Sequence, residues 1–83
     1  EMWPQPDGSL VTSGTASIHD INQALDCNLP EEGATTIGGL IVQTLGDQPN
    51  GKLCMTIERV RIEVLSLDRE WIRRVRVCLE PED

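Results

Sequence analysis

Few groups in this sequence could do chemistry, and their spacing limits what that chemistry is. Cys27, Cys54 and Cys78 supply thiols, and His19 is the single imidazole. A structural zinc site needs four such ligands, usually in closely spaced pairs, and no Cys-x-x-Cys pair is present. Three reduced, buried thiols in a cytosolic setting are expected instead. His19 falls in the first turn of a helix with only Asp20 close to it in sequence, so no Ser/His/Asp or Cys/His arrangement can be specified. Thr35 and Thr36 beside Gly38 and Gly39 could present backbone N–H groups of a helix start to a phosphate. They lack the Gly-x-Gly-x-x-Gly order and an adjacent lysine. Close backbone packing is therefore the preferred reading, with Thr36, Gly38 and Gly39 kept as the candidate anion or nucleotide site. Glu31, Glu32 and Asp47, with Glu80, Glu82 and Asp83, carry oxygens suited to magnesium or calcium. No EF-hand-like loop is present, so solvated acids are expected, and Glu31, Glu32 and Asp47 are the candidate cation ligands.

Charge is divided unevenly along the chain. The formal net charge is −7, yet all seven basic residues lie between Lys52 and Arg76, and residues 1–51 carry seven acids with no Lys or Arg. An acidic total with two Trp, no Phe and no Tyr excludes a nucleic-acid binder, which needs a basic surface and usually stacking aromatics. The clustered arginines suit a local acidic partner. At 83 residues the chain forms one domain that buries roughly 60% of its unfolded surface, too little for a large enclosed active site. No apolar run approaches the roughly 20 residues that span a bilayer, so no direct membrane insertion is expected.

The elements that must position these groups are legible from period and punctuation. Trp3-Pro4-Gln5-Pro6 is extended, Asp7-Gly8 turns the chain, and a short strand is expected at Ser9 to Thr12. Ser17 starts a first helix, with Asp20 placed as in a capping box and Ile18, Ile21 and Leu25 on one face. Pro30 closes it. Thr36 caps a second helix whose apolar stripe is Ile37, Leu40, Ile41 and Leu45, and Gly46 stops it. Gly38 and Gly39 each cost that helix roughly 1 kcal/mol relative to alanine, which implies a close approach of backbone.

The period then changes to 2. Leu53, Met55 and Ile57 alternate with Cys54 and Thr56, Val60, Ile62 and Val64 with Arg61 and Glu63, and Val75, Val77 and Leu79 with Arg74, Arg76 and Cys78. A hairpin through Asp68 to Trp71 sets Leu67 opposite Ile72, Val64 opposite Val75, Ile62 opposite Val77 and Glu63 opposite Arg76. Strict alternation sends Leu65, Leu67 and Ile72 to the face away from the core, beside Trp71. Leu65, Leu67, Trp71, Ile72, Arg74 and Arg76 are thus the expected contact surface, an apolar centre with a basic rim, unless the Trp3 segment covers it.

DGSLVTSG, IHDIN, LPEE, TTIGGLIVQTLGDQPNGK and the EVL and IRRVRV strands, in that order, resemble the CorC/HlyC transporter-associated domain from about Asp7 to Leu79. The resemblance implies an α+β fold, two helices packed on a mainly antiparallel sheet, like a subdomain of FAD-binding oxidases. Glu58 and Val60 stand where the family usually has a glycine and then an aromatic, a departure that bears on how tightly that turn closes.

The resemblance also implies a setting. Residues 1–83 would be a single domain from the C-terminus of a longer membrane protein, a reading in keeping with the start at Glu1. It would lie on the cytoplasmic side of the inner membrane, behind a pair of CBS domains and a transmembrane region. Its role would be that of a non-catalytic regulatory or assembly domain in magnesium- or cobalt-type ion transport, touching those neighbouring domains or a second copy of itself. No cofactor is expected from the residues. FAD enters only through the resemblance, and the alternative function is a sensor of an adenine nucleotide or flavin.

Overall fold

A computed structural model describes residues 2–47, 49, 51–69 and 71–80. The chain runs β1 (Met2–Pro4), β2 (Leu10–Ser13), α1 (Ile18–Leu25), α2 (Ile37–Leu45), β3 (Cys54–Ile57), β4 (Val60–Asp68) and β5 (Trp71–Leu79). The strands form one sheet in the order β1-β2-β5-β4-β3, and every neighbouring pair is antiparallel. The two helices supply Ile18, Ile21, Ile37, Leu40 and Ile41 to a core completed by Leu10, Val60, Ile62, Val64, Ile72, Val75 and Val77 from the strands. The fold is α+β as expected. The alternation that places Val60, Ile62 and Val64 inside also leaves Arg61 exposed and Glu63 half-buried on the helix-free face.

Both helices begin as their sequences require. The Ser17 hydroxyl accepts from the Asp20 amide at 3.0 Å, and the Thr36 hydroxyl accepts from the Gly39 amide at 3.1 Å. The two caps also pair with each other as an isolated antiparallel bridge. Ile18 N–H donates to the Thr35 carbonyl at 2.9 Å and Ile37 N–H to that of Ala16 at 3.0 Å. Gly46 ends α2 in the left-handed region at φ 80°. Leu45 departs from its expected role. It falls in the last turn of α2 and is 44% exposed, because the stripe runs off the sheet there.

The β4–β5 register carries the largest difference from strict alternation. Val64 faces Val75, Ile62 faces Val77, Glu63 faces Arg76 and Leu67 faces Ile72, all as expected. Between these matches lie two irregularities. Ser66 faces Arg74, which leaves Leu65 as an extra residue on β4 and Arg73 as an extra residue on β5. Each bulge shifts its own strand by one residue. The two shifts cancel in register and add nothing to the pairing, but each reverses which face the following side chains occupy. Ile72 therefore turns into the core, 7% exposed, and Leu67 packs against it. The expectation that Leu65, Leu67 and Ile72 share an outward patch is corrected by this pair of bulges.

The turn joining β3 to β4 is tight despite the missing glycine. Ile57 pairs with Val60, and Glu58 and Arg59 between them lie at φ 52° and 67°, the left-handed pair that a two-residue hairpin of this twist demands. Such a conformation costs an ordinary L-residue roughly 1–2 kcal/mol, and the paired strands on either side enforce it.

Gly38 shows why α2 carries a glycine near its start. Its N–H donates to the Gly14 carbonyl at 2.8 Å, and a Cβ at Gly38 would lie 2.7 Å from that same oxygen. At Gly39 a Cβ would meet only the Thr36 Oγ1 at 3.1 Å and the Ala34 Cβ at 3.6 Å. Gly38→Ala should therefore destabilise the domain, because displacing backbone in a packed site costs roughly 1–3 kcal/mol and outweighs a helix-propensity gain of about 1 kcal/mol. Gly39→Ala should cost clearly less. Urea melts of the two variants check the order, and equal midpoints would remove the close approach as the reason for Gly38.

Candidate functional site

A cleft of about 280 Å³ opens where the start of α2 meets the start of β5, lined by Gly14, Thr15, Thr36, Gly38, Gly39, Val42, Trp71 and Ile72. Its base exists because three backbones approach without side chains between them. Gly14 follows β2, and its N–H donates to the Arg73 carbonyl at 3.1 Å, while its carbonyl accepts from Gly38. A Cβ on Gly14 would collide with the Ile72 carbonyl oxygen. Ile72 reaches the base through the β5 bulge, and Trp71, one residue earlier, stands beside it 71% exposed. The sequence pointed separately to Thr36, Gly38 and Gly39 and to Trp71 and Ile72, and the fold brings all five to one place. Gly14, Thr15 and Val42 were missed. A glycine directly after a strand was the available signal for Gly14, and its carbonyl partner in α2 could not be read from spacing.

The α2 start has little to offer a phosphate. The amides of Ile37, Gly38, Gly39 and Leu40 donate to Ala16 O, Gly14 O, Thr36 Oγ1 and Thr36 O respectively. The first three are donors that a helix start ordinarily leaves free, and the Leu40 amide makes the first bond within the helix. What lines the cleft besides glycine is Val42, Trp71 and Ile72 with two threonines, Thr15 and Thr36.

The other expected contact residues separate into distinct places. Leu65, on the β4 bulge, lines a shallow depression with Lys52, Leu53, Cys54, Glu63 and Val64. Arg74 lies with its guanidinium carbon 4.8 Å from the centroid of the Trp3 ring, a cation–π contact. Arg76 pairs with Glu63 across the strands at 3.9 Å. The Trp3 segment therefore covers the Arg74 side of the sheet, where Trp3 pairs with Val11 and Val11 with Arg76. Arg69 and Arg73, which flank Trp71 and Ile72 in sequence, are exposed and have no ion pair among the described residues.

The candidate cation ligands do not converge. Glu31 is drawn to α1, accepting from Asn22 Nδ2 at 3.1 Å and lying 3.6 Å from His19 Nδ1; His19 thus has a carboxylate neighbour besides Asp20. Glu32 and Asp47 are exposed. Among the described residues no group of three His, Cys, Asp or Glu side chains could hold a metal ion, and Glu82 and Asp83 lie outside those residues. Asp7 titrates below its ordinary value because the Ser9 hydroxyl, at 2.6 Å, and the Ser9 amide donate to its carboxylate. This interaction braces the turn into β2.

The thiols are not uniformly buried. Cys54 is exposed and accepts from the Arg61 Nε–H at 3.1 Å. Burial pushes the Cys27 and Cys78 thiols up. The correction arises because β3 is an edge strand whose Cys54 and Thr56 face solvent.

These features match a known family. Residues 3–81 match the transporter associated domain, CorC_HlyC. The chain belongs to this family of transporter-associated domains. It is 35% identical over 77 residues to the inner membrane protein YfjD of Escherichia coli K12, covering 93% of this chain and 18% of that protein. It is 31% identical over 65 residues to the magnesium and cobalt efflux protein CorC of Pasteurella multocida, covering 78% of this chain and 22% of that one. The chain thus spans about a fifth of the length of these relatives. Among solved structures, a conserved protein of unknown function from Haemophilus influenzae superposes with a TM-score of 0.85 at 28% identity, covering 95% of this chain and 98% of that one. No helix of the described residues is long and apolar enough to cross a membrane.

Alkylation should separate the three thiols. At pH 8 Cys54 is expected to react first with iodoacetamide, while Cys27 and Cys78 lag because they are half-buried and a raised pKa lowers their thiolate fraction. Mass spectrometry of a time course reads the order directly. Equal rates at all three would contradict the exposure assigned to Cys54.

Proposed function

We propose that this domain is a non-catalytic regulatory and assembly module, held on the cytoplasmic side of the membrane by a larger protein and modulating that protein's magnesium- or cobalt-type ion transport. The modulation works through protein contact at the cleft between α2 and β5. Trp71 carries the reading: a large aromatic left 71% exposed beside an apolar cleft is the anatomy of a contact hot spot rather than of a folded core. Family membership supports the transport setting, as do relatives described as an inner membrane protein and as a magnesium and cobalt efflux protein. The neighbouring CBS and transmembrane domains of the parent protein, or a second copy of this chain, are the partners in this reading.

A sensor of an adenine nucleotide or flavin is less well supported. Either ligand would look for free amides at the α2 start, and those amides have protein acceptors. The cleft, at about 280 Å³, also falls below the roughly 300–1,000 Å³ common for small-ligand pockets. FAD is larger than most such ligands.

Trp71→Ala tests the proposal. In the isolated domain the substitution should change stability by no more than about 0.5 kcal/mol, the ordinary range for a surface position. In the full-length membrane protein it should alter ion transport several-fold at unchanged expression. Ile72→Ser serves as the contrast and should unfold the domain, since it places a hydroxyl in the core. Unchanged transport in the Trp71 variant would refute the regulatory role of the cleft.

A further inference from the structure

We draw no further inference here: the strongest candidate, the exposed Cys54 thiol on edge strand β3, which accepts from the Arg61 Nε–H at 3.1 Å and lines the shallow depression beside Leu65, is a lone thiol beside which nothing among the described residues points to a ligand.

Discussion

Gly14 is the point on which the rest of the structure depends. Its backbone is pressed between β5 at Ile72 and α2 at Gly38, and no side chain fits on Gly14 or Gly38. The contact is made by hydrogen bonds on both sides, to the Arg73 carbonyl and from the Gly38 amide. Backbone groups have fixed geometry, so this stack sets the position of α2 on the sheet more rigidly than interdigitated side chains would. It also satisfies one of the helix-start donors that would otherwise need water or a ligand. The cleft follows from it: where three chains touch backbone to backbone, their nearest side chains must diverge, and the space between Trp71 and Val42 is what that divergence leaves.

The paired bulges on β4 and β5 act on the same region by a different route. One extra residue on a single strand would shift the whole register beyond it and misalign the hairpin. One on each strand restores the pairing of Leu67 with Ile72 while exchanging the faces. Ile72 thereby closes the core under α2, and Trp71 is carried outward. An apolar side chain and an aromatic one, adjacent in sequence, end with opposite tasks. The basic residues follow the same division, since Arg73 is the inserted residue and Arg74 is turned to the Trp3 side.

Much of this was legible in the sequence, for reasons that are local. The caps at Ser17 and Thr36, the left-handed stop at Gly46 and the alternating strands each rest on interactions within a few residues, and each was found where expected. The β4–β5 register was legible too, because Val64 with Val75 and Glu63 with Arg76 agree on it. The bulges were not. Strict alternation is the economical assumption for LSLD and WIRR, and only the demand of the core for Ile72 beneath α2 breaks it. Two tight structures also escaped sequence reasoning: the left-handed Glu58 and Arg59, which carry no glycine to announce them, and the Gly14 contact, whose partners lie 24 residues on in α2 and at the start of β5.

The bulge at Leu65 has a bearing on how this domain meets other chains. β3 covers β4 through Cys54 opposite Glu63, with a last bond from Val64 to the Leu53 carbonyl. Beyond that point the outer side of β4 has no strand beside it among the described residues. A flat stretch of this kind invites another sheet to add on by backbone pairing, the route to fibrous aggregates. An inserted residue interrupts the repeat of donors and acceptors at the first uncovered position. Growth by strand addition is blunted there, and recognition is left to side chains, which can discriminate between partners as a ladder of peptide groups cannot.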